Sequence, residues 1–153
     1  MNPTPTNALS NEEIPTSRLW RVIPFAAAIA TTANVVFYFF VTRVLGEPLL
    51  FPEQFPPPET SPMPVTEVII FSVIFSVGAG IVFMLIANFS QRPIRAFLII
   101  STIVLILSFA LPLKIPTPPV TLPAKLTLVT MHIIGAIAVV GTLIGLGRRK
   151  KTR

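Results

Sequence analysis

The stretch PAKLTLVTMHIIGAIAVVGTLIGLG, residues 123–147, decides the fold of this 153-residue chain. After Lys125 it contains no Asp, Glu, Lys or Arg, and a helix of this length, rising about 1.5 Å per residue, can cross a hydrocarbon layer about 30 Å thick. The stretch also carries His132, the only histidine in the chain. It therefore predicts a membrane-spanning helix with one candidate functional side chain.

Three further apolar runs precede this stretch. Residues 22–41 and 68–87 are each twenty residues long without a charged side chain, and residues 96–113 add eighteen more. For the first run a cleaved signal peptide is the alternative, because AAAIATTA resembles a cleavage region, but the length of the run favours a retained span. We predict an all-α fold, a four-transmembrane-helix antiparallel bundle. The predicted spans are about 20–43, 65–87, 94–113 and 123–147.

The segments between and beyond the runs are polar or rich in proline. Residues 45–63 contain six prolines, and residues 114–122 form a second proline-rich connection, so neither can be a span. The six-residue connection NFSQRP is typical of a hairpin between neighbouring helices. We expect a flexible tail over residues 1–17, a membrane domain over 18–147 and a basic tail over 148–153.

Cations are concentrated on one side of the predicted bundle. Four spans place both chain ends on the same side, and nine cations near span ends lie on that side, against three on the other. The positive-inside rule therefore predicts a multi-pass protein of the inner (plasma) membrane with cytoplasmic N- and C-termini and outward-facing proline-rich loops. The nine are Arg18, Arg21, Arg92, Arg95 and the five of residues 148–153, and the three are Arg43, Lys114 and Lys125.

Composition excludes several functional classes. Apolar residues make up 52% of the chain and charged residues 12%, too few charges to coat a water-facing surface. The net charge of +6 lies at the ends of apolar runs, which indicates lipid headgroups rather than nucleic acid as the partner. The chain has no cysteine, no catalytic triad and no metal-spaced cluster. We therefore expect no cofactor, no metal and no catalytic residue.

Small residues at helical spacing indicate where the spans pack. Helices in lipid approach one another through such residues, because lipid provides no hydrophobic force between them. The third span has only serines in a bulky run, so we expect it to be the most lipid-exposed. At the fourth span, packing within the chain and a dimer contact with a second copy are both open. The candidate packing residues are Ala26, Ala30, Gly80, Gly141 and Gly145.

Polar side chains inside the spans indicate a candidate site. His132 lies seven residues inside Lys125 and Asn34 nine residues before Arg43, so both lie about 10 to 13 Å below the outer surface. We predict a polar cluster in the outer half of the bundle, with Arg43 and Glu67 as charges at the outer interface. Its members are Asn34, Tyr38, Ser72, Ser76 and His132.

Three interpretations of His132 compete. In the first, His132 and Asn34 bond each other or free carbonyl groups and fix the packing. In the second, they line a small-molecule pocket in which the imidazole exchanges a proton near neutral pH. In the third, His132 ligates a metal or haem with Met131 or Met84, although one histidine per chain cannot supply paired axial ligands without a dimer.

Several landmarks occur in a familiar order: Asn34 in an Ala-rich span, GEPLL at 46–50, QRPIRAF at 91–97, SFALPL at 108–113 and Met131-His132. Together they resemble a family of uncharacterised bacterial four-helix membrane proteins, and the likeness covers about residues 18–147. The resemblance implies four helices in a bacterial inner membrane and no assigned activity.

The expected function is that of a non-enzymatic integral membrane protein, acting through helix and loop interactions as an accessory or assembly subunit. Its expected partners are the lipid bilayer and other membrane subunits or a second copy. The alternative is a small-ligand carrier or sensor with a pocket around His132 and Asn34.

Overall fold

The computed structural model describes residues 14–52, 60–117 and 120–148, and it is dominated by helices. Four of them are long and apolar enough to cross a membrane, which agrees with the four predicted spans. The elements are α1 Thr16–Phe39, extended by a π-helical turn Phe40–Val44; β1 Leu50–Pro52; β2 Thr60–Pro62; α2 Val65–Phe89; α3 Pro93–Ser108; α4 Ala110–Lys114; and α5 Leu122–Gly147.

Helix α1 begins earlier than expected, and a glycine follows shortly after its π-helical extension. The flexible tail was predicted to reach residue 17, but Ile14 is buried and the helix begins at Thr16, with Pro15 as its N-cap. Residues 1–13 and 149–153 of the predicted tails lie outside the described part of the chain. At the other end the π-helical turn stops where Gly46 adopts a φ of 67°, a conformation that other residues rarely adopt.

The first proline-rich connection contains a short antiparallel strand pair, which the all-α prediction missed. Leu50 pairs with Pro62 and Pro52 with Thr60, so the prolines lie at the ends of a two-stranded ladder. Proline is tolerated there because both strands are edge strands. The pair covers the end of the helices, since Leu49 and Met63 on either side of it are buried.

The third span, Pro93–Lys114, agrees with the predicted span 94–113, but it contains a break at Phe109 that the sequence analysis did not predict. Pro112 has no backbone N–H to donate to the carbonyl of Ser108, the position at which α3 ends, and α4 continues the chain from Ala110. This span is also the least covered. In its most apolar segment 11% of residues are buried, against 22–33% in the other spans, as expected from its lack of a small-residue stripe.

Helix α1 lies between α2 and α5, and the core has two main parts. We call them the arginine-end cluster, built around Leu19, Phe83 and Phe97, and the β-end cluster, built around Val41 and Met131. In the first, the rings of Phe83 and Phe97 stack with centroids 4.3 Å apart and join α2 to α3. The β-end cluster reaches the strand pair through Leu49 and Met63.

Close approach between α1 and its neighbours depends on glycine. A Cβ at Gly80 would lie 2.4 Å from Cγ1 of Ile23, and a Cβ at Gly147 would lie 2.9 Å from Cδ2 of Leu19. Ala26 and Ala30, also expected to pack, are buried on the same helix as Ile23. Because Gly80 has only a hydrogen where other residues have a side chain, α1 and α2 can lie this close together.

Replacing Gly80 with alanine should destabilise the fold, because the new methyl group overlaps two side-chain atoms of Ile23, a stiff, β-branched residue, and lies 3.3 Å from a third. We expect a loss of about 1 to 3 kcal/mol in the free energy of unfolding, measured by denaturant titration in mixed micelles. Gly78→Ala on the same helix is the matched control, since a Cβ there meets nothing within 4 Å. Equal losses in the two variants would contradict the close contact.

Candidate functional site

Asn34 of α1 is the centre of the buried polar side chains. It is 8% exposed, and its Nδ2 donates a hydrogen bond of 3.0 Å to Oγ of Ser72 on α2. Ser76, one turn further along α2, is 1% exposed and donates from Oγ to the carbonyl of Ser72 over 2.6 Å. These three predicted site residues are thus brought together in a single network.

Thr31, one turn before Asn34 on α1, has a further buried polar atom, and sequence reasoning did not select it. Its Oγ1 is buried without a hydrogen-bond partner in the described structure, and the same holds for Oδ1 of Asn34. We call Thr31, Asn34, Ser72 and Ser76 the polar band. The i, i+3 spacing of Thr31 and Asn34, which places both on one face of α1, was the signal that could have found it.

The approach of α5 closes the polar band on its other side. A Cβ on Gly135 would lie 3.2 Å from Nδ2 of Asn34, closer than most side-chain contacts. The amide of Asn34 therefore packs against bare backbone of α5. In this arrangement Asn34 has one cross-helix hydrogen bond and a tightly packed surface.

His132 bonds a carbonyl of its own helix, one of the two kinds of partner in the first interpretation of its role, and not Asn34. Its Nδ1 lies 2.7 Å from the carbonyl oxygen of Leu128 on the same helix, and since a carbonyl only accepts, Nδ1 carries the proton. The side chain is half-buried, and within the described residues it makes no hydrogen bond to Asn34. The described residues also contain no group of three His, Cys, Asp or Glu side chains able to hold a metal.

Tyr38 links α1 to the strand pair instead of joining the polar band. Its hydroxyl donates to the backbone carbonyl of Met63 over 2.9 Å, just after β2. The carbonyl of Tyr38 in turn accepts a bond of 2.8 Å from the hydroxyl of Thr42 in the π-helical turn. Tyr38, a predicted site residue, therefore attaches the strand pair to α1.

The charged residues expected at the outer interface lie at the same end as the strand pair, with Arg43 exposed and Glu67 half-buried in the first turn of α2. At this end Glu47, and not Glu67, connects the segment after α1 to the start of α5. The hydroxyl of Thr121 donates to Oε1 of Glu47 over 2.9 Å and accepts from the backbone N–H of Ala124, capping α5.

Lys125, on the first turn of α5, is 7% exposed and donates to the hydroxyl of Thr117. The sequence places Lys125 at the mouth of the fourth span, and the sequence analysis did not predict this burial. The signal would have been the Thr117 hydroxyl, eight residues earlier, which lies in the connection that folds back over α5.

Gly141 and Gly145 do not pack within the described chain. Both are exposed, and a Cβ on either would meet no atom within 4 Å. The glycines of α5 that do pack are Gly135 against α1 and Gly147 against Leu19. The i, i+4 spacing was correct for a small-residue face, but that face is turned away from the other helices.

Four helices able to cross a membrane, packed through small residues around a polar band, indicate a multi-pass membrane protein. The chain belongs to DUF6069, a family of unknown function, whose model matches residues 14–149. This confirms the expected membership of an uncharacterised family. No curated protein and no solved structure matches the chain.

The bond between Asn34 and Ser72 can be tested with a double-mutant cycle of Asn34→Leu and Ser72→Ala. Hydrogen bonds between membrane helices contribute about 0.6 kcal/mol on average and at most about 1.7, so the coupling energy should fall in this range. Ser101→Ala, on the sparsely covered α3, is the control for Ser72→Ala and should show no coupling to Asn34→Leu. A coupling of zero for Asn34 and Ser72 would exclude the bond.

Proposed function

We propose that this protein is a non-enzymatic integral membrane protein that acts through contacts of its helices and loops, as an accessory or assembly subunit. The observation that carries the proposal is the exposure of α3. Its buried residues Pro93, Ile94 and Phe97 all lie at its first turns. From residue 98 to residue 111 no side chain is buried, although the sequence there is strongly apolar.

The proposal includes the topology of the protein, an antiparallel bundle with both termini cytoplasmic. Contacts of Ile23 with Gly80 and of Asn34 with Ser72 follow opposite chain directions in α1 and α2, which supports an antiparallel bundle. Arg18, Arg21, Arg92, Arg95 and Arg148 lie at one end of the described helices, while Glu47 and Glu67 lie at the other with Arg43, Lys114 and Lys125. This distribution supports cytoplasmic termini in an inner (plasma) membrane by the positive-inside rule.

Helix α3 is suited to contact another membrane subunit. A helix in a bundle normally buries one face against its neighbours, but the face of α3 with Ser101, Leu105 and Ser108 is only half-buried. These positions are three or four residues apart and therefore lie on one face of α3. A further helix, from a partner subunit or a second copy, would complete the burial of this face.

The carrier or sensor function is a second candidate, favoured by one observation. The buried oxygens of Asn34 and Thr31 have no donors in the described structure, and a small hydrogen-bonding ligand would supply them. The close approach of Gly135 to Asn34 leaves little room for one. A small molecule that co-purifies with the protein and is lost in His132→Ala would favour this candidate.

Photo-crosslinking tests the accessory function. A photoreactive amino acid at Val104 or Leu107 of α3, which are 57% and 66% exposed, should form an adduct of one defined protein mass in native membranes. Val36 of α1, at 63% exposure, is the matched control and should give lipid adducts only. An adduct of twice the chain mass would identify a second copy as the partner. Lipid adducts alone at all three positions would contradict the proposal.

A further inference from the structure

A surface groove lies between α1 and α5 at the end of the helices that carries Arg18, Arg21 and Arg148. It has a volume of about 530 Å3, and it is distinct from the polar band, which lies deeper along α1. Helix α1 contributes both the cationic and most of the apolar side chains of the groove, and α5 contributes one apolar side chain. Its lining residues are Ser17, Arg18, Arg21, Val22, Phe25 and Leu146.

The cationic part of the groove is not neutralised by the described protein. Arg18 and Arg21 are exposed and three residues apart, so their guanidinium groups project from the same face of α1. Among residues 14–52, 60–117 and 120–148 the only carboxylates are those of Glu47 and Glu67, and both lie at the opposite end of the helices. Two adjacent cations without a described acid attract an anion.

The apolar part of the groove extends from the arginines into the span. Phe25 lies seven residues beyond Arg18, about 10 Å further along the helix axis, and it is 62% exposed. Val22 and Leu146 continue this wall on α1 and α5. Trp20, 64% exposed, lies at the level of the arginines, as aromatic residues do at headgroup depth.

We propose that this groove binds one anionic glycerophospholipid. Arg18 and Arg21 donate to the phosphate oxygens, for which the planar guanidinium fork is well matched, and the hydroxyl of Ser17 adds a donor beside them. An acyl chain lies along Val22, Phe25 and Leu146. The apolar wall identifies the occupant as a lipid rather than free phosphate, which would leave that wall without a partner. The site does not rest on the accessory function.

Native mass spectrometry of the full chain in detergent tests the headgroup contact, with dioleoyl phosphatidylglycerol and dioleoyl phosphatidylcholine as the two probes. The wild type should retain phosphatidylglycerol in preference to phosphatidylcholine. Arg18→Gln with Arg21→Gln should weaken phosphatidylglycerol binding about thirtyfold, the effect expected from two surface cations. Arg92→Gln with Arg95→Gln removes two exposed arginines at the same end that do not line the groove, and it should weaken binding clearly less.

Equal weakening by the two double variants would overturn the proposal in favour of diffuse charge attraction, and so would equal binding of the two lipids. If Arg18→Gln with Arg21→Gln fails to fold by circular dichroism, Arg21→Lys replaces it. That variant keeps the charge but loses the planar fork, so the proposal expects weaker binding, and unchanged binding would contradict it.

The acyl contact separates a lipid from free phosphate. Phe25→Ala should weaken binding of dioleoyl phosphatidylglycerol but leave dihexanoyl phosphatidylglycerol, whose chains are too short to follow the wall, nearly unaffected. Inorganic phosphate at millimolar concentration should not displace the long-chain lipid. Displacement by phosphate, or an equal effect of Phe25→Ala on both lipids, would show that the groove recognises the phosphate group alone.

Discussion

At Gly80, helix α2 lies so close to α1 that a single methyl group would overlap the side chain of Ile23, and the arrangement of the other helices depends on this contact. In lipid, apolar side chains gain nothing by leaving their surroundings for one another, so helices associate through packing and polar contacts. Small residues along α1 and its neighbours supply both the close packing and the polar contacts. Without them α1 could not lie between α2 and α5, and the two core clusters would have no common helix.

The polar band belongs to the same contact. Asn34 reaches Ser72 only because α1 and α2 are close, and it packs against Gly135 only because α5 is close as well. Its hydrogen bond is worth little free energy by itself, about 0.6 kcal/mol on average in membranes. The bond instead helps to select how the helices pair. A polar side chain at this depth of the bilayer has few alternative partners, and the observed pairing of α1 with α2 provides a partner for Asn34.

Much of the fold was predictable because the bilayer imposes strict lengths. Uncharged runs of eighteen to twenty residues can only be spans, and counting residues from the charged ends placed Asn34 and Ser72 at one level. The weak packing of α3 followed from its lack of small residues. The break before α4 was also present in the sequence as Pro112, but a proline within an apolar run does not by itself show whether a helix bends or ends.

Other features depend on how each helix is rotated about its own axis, and counting residues from the charged ends does not predict that rotation. Gly141 and Gly145 have the spacing of a packing face, but the rotation of α5 directs Gly135 and Gly147 toward α1 instead. His132 lies at the same depth as Asn34, yet its Nδ1 bonds to the carbonyl oxygen of Leu128 on its own helix. The strand pair arises from contacts between distant parts of a proline-rich connection, for which the sequence has no periodic signal.

If the close contact between α1 and α2 sets the packing, a double-mutant cycle of Ile23→Ala and Gly80→Ala should show it. Ile23→Ala removes all three atoms that a Cβ at position 80 would meet, so the cost of Gly80→Ala in the free energy of unfolding should largely disappear in that background. If the two changes are additive, the overlap does not exist in the folded protein and the account of its packing fails.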